Sequence, residues 1–174
     1  MRSMNLQRLF VGLAGALLFV LTANGQPPRG KQILFFTQLS GYNEVAALSS
    51  PARGRIVVFI DDRSDAIQYR LSYSGFETPV AQSHLHLGQR HTNGGISVFL
   101  CTNLGNGPAG TPACPEGGGV VTGVLTADGV LGPAGQGIAA GELNELINAI
   151  RAGAVYVNVH TQAFPAGEIR GQLD

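Results

Sequence analysis

Ala154-Val155-Tyr156-Val157-Asn158-Val159-His160-Thr161 alternates apolar and polar residues with period two. Val155, Val157 and Val159 point one way; Tyr156, Asn158 and His160 point the other, the pattern of a half-buried β-strand. A turn, Phe164-Pro165-Ala166-Gly167, leads into Glu168-Ile169-Arg170-Gly171-Gln172-Leu173, where Glu168, Arg170 and Gln172 share a face. Two adjacent strands with a polar, outward face are expected, and that face carries His160. Ser83-His84-Leu85-His86-Leu87-Gly88 puts two further histidines on one strand face. What the protein can do depends on whether these two stretches meet.

Working outward, strands are predicted over 33–39, 55–60, 67–73, 80–87, 96–101 and 120–126, each bounded by turn residues. The clearest is 67–73, with Ile67, Tyr69, Leu71 and Tyr73 inward and Gln68, Arg70 and Ser72 outward. The five residues from Asp61 to Asp65 read as a polar turn, lacking the ligand offsets of a calcium loop. Leu143, Leu146, Ile147 and Ile150 fall at i, i+3, i+4 and i+7, which predicts one helix over 143–151. Glu142 and Glu145 in its first turn, Arg151 in its last and Gly153 beyond suit the helix dipole and a glycine stop. About eight short strands and one short helix predict an all-β, antiparallel Greek-key β-sandwich or barrel. No Gly-rich loop leads from a strand directly into a helix, so no phosphate cradle is expected.

The chain opens with Arg2 and Arg8, an apolar run from Leu9 to Leu21, and Ala23-Asn24-Gly25. That order is a secretory signal over 1–25, cleaved after Gly25; the run of about 13 apolar residues is short of the roughly 20 needed to span a bilayer. A flexible leader over 26–32 and one domain over 33–174 follow. Without Arg2 and Arg8 the balance of eleven basic and eleven acidic residues becomes a net charge near −2. There is no basic run, which argues against nucleic acid and against anionic membrane surfaces. The expected location is therefore secreted or periplasmic. Cys101 and Cys114 are an even pair on an exported chain and are expected to form a disulfide, spaced too far apart for a C-x-x-C redox or metal pair.

Four histidines follow the signal. His84 and His86, two apart on one strand, project about 6–7 Å apart along it. If the strand of His160 lies beside theirs, three neutral nitrogen donors converge on the outer face, a set that suits copper or zinc with one position left open. His91, Glu168 and Tyr156 are candidates for a fourth ligand or for groups that support the ligands. The alternative is that the histidines only hydrogen-bond neighbouring strands. Glu168 and Arg170 read as a surface pair or as cross-strand partners of Asn158 and His160. No Ser-His-Asp order, Walker motif or paired-carboxylate cleft stands out, so only a metal centre would make this chain an enzyme.

These stretches resemble the CHRD domain, the module first defined in chordin. Leu39-Ser40-Gly41-Tyr42-Asn43-Glu44-Val45 is similar to the family's opening motif, residues 83–88 to its H-x-H-x-G motif, and Asn93-Gly94 to the turn after it. Residues 153–161 and 164–173 are similar to its closing signature. The resemblance covers about 33–173 and looks like a single-domain, bacterial-type member. It implies an extracellular, immunoglobulin-like barrel or sandwich and no settled enzymatic activity. Chordin's binding of secreted growth factors does not transfer to a lone domain.

The H-x-H strand is also similar, at the level of fold, to Cu/Zn superoxide dismutase, which uses more histidines and a zinc-site aspartate. The expectation is a secreted binding or structural module with a copper or zinc site. A copper oxidoreductase of dismutase-like geometry and a metal-free module binding an extracellular protein or glycan are the alternatives.

Overall fold

The computed structural model describes residues 32–61, 63 and 65–174. The expected signal and nearly all of the expected leader lie outside the described residues. Eight strands form one antiparallel sheet: β1 Gln32–Ser40, β2 Arg53–Asp61, β3 Ile67–Ser74, β4 Val80–Leu87, β5 Gly95–Thr102, β6 Gly118–Leu125, β7 Val155–Thr161 and β8 Ile169–Leu173. Gln32, assigned to the leader from sequence, already pairs with Asp61. The spatial order is β5-β4-β7-β8-β1-β2-β3-β6, and the two end strands return into contact, so the sheet is a nearly closed barrel. The expected all-β antiparallel architecture is the one that forms.

Period-two alternation puts one apolar set inside. Ile56, Val58 and Ile60 of β2, Ile67 and Leu71 of β3, Leu85 of β4, and Val155, Val157 and Val159 of β7 are fully buried there. The one α-helix among the described residues, α1 Leu143–Arg151, turns Leu143, Leu146, Ile147 and Ile150 into the same core. It covers the barrel end at the β2–β3 turn, where Ile60, Asp65 and Ile147 line one depression. In that turn Asp61 Oδ1 accepts the Arg63 N–H at 3.0 Å, the self-capping expected of a polar turn.

Between β5 and β6 the ladder is missing, and side chains close the seam. Tyr69 reaches from β3 to donate its hydroxyl to the Leu100 carbonyl of β5 at 2.6 Å. It passes β6 at Gly123, where an added Cβ would lie 2.6 Å from the Tyr69 ring. The connection from β5 to β6 is strapped by the Cys101–Cys114 disulfide and by Tyr73, whose hydroxyl donates to the Pro115 carbonyl at 2.8 Å. Closing a 13-residue separation stabilises the fold by about 3 kcal/mol in the chain-entropy account.

Gly123→Ala is expected to push Tyr69 off the seam and cost about 1–3 kcal/mol, the range for overpacking. Urea denaturation checks this, and a combined Gly123→Ala, Tyr69→Phe variant is expected to cost less than the two changes added.

Candidate metal centre

Antiparallel pairing of β4 with β7 sets His86 opposite Tyr156, His84 opposite Asn158 and Gln82 opposite His160. On the neighbouring strand, Asn158 faces Arg170 and Tyr156 faces Gln172. The three histidines thus share the outer face of adjacent strands, as their parity requires. Their ring centroids lie 5.4 Å (His84–His86), 4.9 Å (His84–His160) and 6.1 Å (His86–His160) apart.

The expected solvated outer face is absent. His84 is 0% exposed and His86 and His160 are each 6% exposed; Tyr156, Asn158, Arg170 and Gln172 are buried with them. Three connections fold over this face and take up its polar groups. From residues 88–94, the Gln89 and Thr92 carbonyls accept from Arg170 at 3.0 and 2.7 Å, and the Gly94 N–H donates to the Tyr156 hydroxyl at 3.1 Å. From the turn after β1, Asn43 donates to the Arg170 carbonyl at 3.1 Å. The β7–β8 turn packs so closely that a Cβ on Gly167, whose φ is +128°, would meet the Asn158 amide and Glu44 Oε1. A polar second layer results, sealed by loops whose backbone groups satisfy it.

Within this layer each histidine has a distinct environment. His86 Nδ1 lies 3.1 Å from the Gly94 carbonyl, and His160 Nδ1 lies 2.9 Å from the Pro165 carbonyl. A carbonyl only accepts, so Nδ1 carries the proton in both rings and each Nε2 presents a lone pair. Metal-ligating histidines are oriented by the same kind of bond to backbone carbonyls. His160 Nε2 faces His84 Nδ1 at 3.1 Å, while His84 Nε2 and His86 Nε2 are buried with no hydrogen-bond partner. One nitrogen from each ring can be chosen so that all lie within 4.8 Å of one another. Nitrogens around one tetrahedral ion at 2.1 Å sit roughly 3.4 Å apart, a spacing that side-chain adjustments of about 1 Å would reach.

The other candidates fall elsewhere. His91 is exposed on the 88–94 loop, at φ +62°. Glu168 turns away from the histidines, and its carboxylate accepts the Ser50 and Thr161 hydroxyls at 2.7 and 2.5 Å. It is buried and is no surface partner of Arg170, because the hydroxyls of the loop after β1 and of β7 neutralise its desolvation instead. Tyr156 is a supporting group: its ring stacks on His86 at 4.7 Å and carries the Arg170 guanidinium at 3.4 Å, while its hydroxyl is held by Gly94. Two neighbours escaped the sequence reading. Phe99 of β5 packs edge-on against His84 at 4.3 Å. Glu44 lies beside Asn158 and is buried with Oε1 unpartnered. The only sequence signal for Glu44 was its place in the opening motif; Phe99 looked like any apolar strand residue.

Burial sets the protonation. Desolvation, with the neighbouring imidazoles adding to it, holds His84 down at about 2. Desolvation likewise lowers His86 to about 4 and depresses His160, against the bonds to Gly94 and Pro165. All three rings are therefore neutral donors at physiological pH. Burial pushes the Glu44 carboxyl up to about 7, only partly opposed by Arg170 and the Asn158 amide.

Fold and site define a β-barrel module whose outer face holds a buried, all-imidazole cluster. The chain belongs to the CHRD domain family, whose profile matches residues 35–173. No curated protein and no solved structure matches it. The disulfide fits an oxidising compartment, and among the described residues no helix is long and apolar enough to cross a membrane.

Two pH dependences follow for the metal-free protein. The histidines' folded pKa values lie below that of the unfolded chain, so their contribution is complete above about pH 6.5 and is lost as pH falls, through about 4 for His86 and on to about 2 for His84. Denaturation in chelator at pH 7, 6 and 5 is expected to show that loss, with a shallower slope in His86→Gln. Glu44 has the opposite sign: its contribution is complete below about pH 4.5 and is lost as pH rises through 7. Glu44→Gln is expected to match the wild type at pH 4 and to exceed it by about 2 kcal/mol at pH 8.

Proposed function

We propose that this protein is an exported CHRD-type binding module that holds one copper or zinc ion through His84, His86 and His160. The observation that carries the reading is the pair of Nδ1–carbonyl bonds that turn His86 and His160 Nε2 inward beside a buried His84. A histidine that served packing alone would not leave a buried nitrogen bare, because an unsatisfied polar group costs about 1–3 kcal/mol. An ion that accepts those lone pairs removes the cost. Three donors leave a coordination position open, which structural four-ligand zinc sites do not. Export is supported by the basic start and apolar run of residues 1–25 and by the disulfide.

Contact with an extracellular protein or glycan is the second reading. Tyr42, 64% exposed in the opening motif, favours it, since an exposed aromatic ring offers both an apolar face and a hydroxyl.

Titration of the purified protein with copper or zinc is expected to give one equivalent bound, and saturation at a hundred times Kd to raise stability by about 2.7 kcal/mol. Each single His→Ala change at 84, 86 or 160 is expected to weaken binding by more than about a hundredfold. Undiminished affinity in the triple variant removes this site; no affinity in the wild type removes the reading.

A further inference from the structure

The donor set carries no charge. Among the described residues the cluster contains three imidazoles and no carboxylate or thiolate. The neighbouring acids are engaged elsewhere: Glu168 accepts from Ser50 and Thr161, and Glu44, beside the Asn158 amide, has Arg170 as its charge partner. A cation is already resident. The Arg170 guanidinium, 2% exposed, rests on the Tyr156 ring, which itself stacks on His86, and its charge is felt at that imidazole. Neutral donors, a dry surround and a fixed positive charge all act on an incoming ion through its own charge. The cost of desolvating an ion grows with the square of that charge, and its repulsion by Arg170 grows in proportion to it. A dication is penalised on both counts far more than a monocation.

Resting on the metal-site reading above, we propose that the site selects Cu(I) over Zn(II) and Cu(II). Among first-row metal ions, copper supplies the monovalent form that imidazole nitrogen binds well, and three donors satisfy it without a fourth. For divalent ions the ordinary order puts Cu(II) above Zn(II) at nitrogen sites, so Cu(II) is the demanding comparison. Asn158 is the residue through which this selectivity can be reversed. It is buried beside both the Glu44 carboxyl and His86 and interacts with each, and its Nδ2 donates to the Ala166 carbonyl at 3.4 Å. Asn158→Asp changes its shape little, gives up the bond to the Ala166 carbonyl and adds a negative charge beside His86, and Glu44→Gln in the same chain keeps a second carboxylate from opposing that charge.

The test measures the affinity of the intact protein for three probes. Cu(I) is read anaerobically against bicinchoninate, and Cu(II) and Zn(II) against chelators of matched strength. Cu(I) is expected to bind at least a hundredfold more tightly than either divalent ion. For the copper pair that ratio raises the reduction potential of the bound couple by about 120 mV, at 59 mV per tenfold. Any smaller ratio, with metal bound, overturns the selectivity and leaves the metal site standing; absence of binding by all three ions overturns both. Asn158→Asp with Glu44→Gln is expected to lower the Cu(I) preference at least tenfold, and an unchanged preference overturns the role of charge. If that variant does not fold, the wild-type ratio alone decides.

Discussion

The pairing of β4 with β7 is the contact on which the centre depends. It places His84 and His86 beside Tyr156, Asn158 and His160. Because strand side chains alternate, a one-residue slip of β4 would send His84 and His86 into the barrel and Leu85 out of it, leaving His160 of β7 alone on the outer face. The apolar core therefore enforces the register, and the register assembles the cluster. The burial of Leu85 and Val157, on the opposite side of the sheet, is what holds the histidines in place.

Alignment on one face brings the rings together, and the loops do the rest. Arg170 ties residues 88–94 down, Gly94 fixes Tyr156 and His86, and Pro165 fixes His160. Each loop contributes backbone groups, which keep an invariant chemistry whatever their side chains. Water is excluded from a polar layer without leaving most of it unsatisfied. The few buried atoms that remain bare include His84 Nε2, His86 Nε2 and Asn158 Oδ1, all in this layer. The unsatisfied potential is thus concentrated where an ion would use it.

In the proposed reading, the enclosure that makes the rings good donors is also the source of selectivity. Imidazoles held neutral by desolvation need shed no protons to bind a metal at physiological pH. The dryness that keeps them neutral also opposes any ion carrying more charge than the layer can offset. Donor quality and the proposed charge discrimination both trace to one burial.

The sequence by itself determined the strands, the helix and the parity of the three strand histidines, because those follow from local periodicity. The helix over 143–151 and β4 over 80–87 end where their patterns end. The family was legible in the closing motif, and the disulfide in the cysteine count. Only the tertiary structure decided that the polar face of β7 and β8 is interior. Polar residues in alternation read as solvent-facing, and nothing local reveals that residues 88–94, the turn after β1 and the β7–β8 turn will fold over them. Glu168 was misread for the same reason: Gly167 breaks the alternation just before it, and its hydroxyl partners Ser50 and Thr161 lie 118 and 7 residues away in the chain. Burial is a property of what packs on a strand, and a strand's own sequence does not contain it.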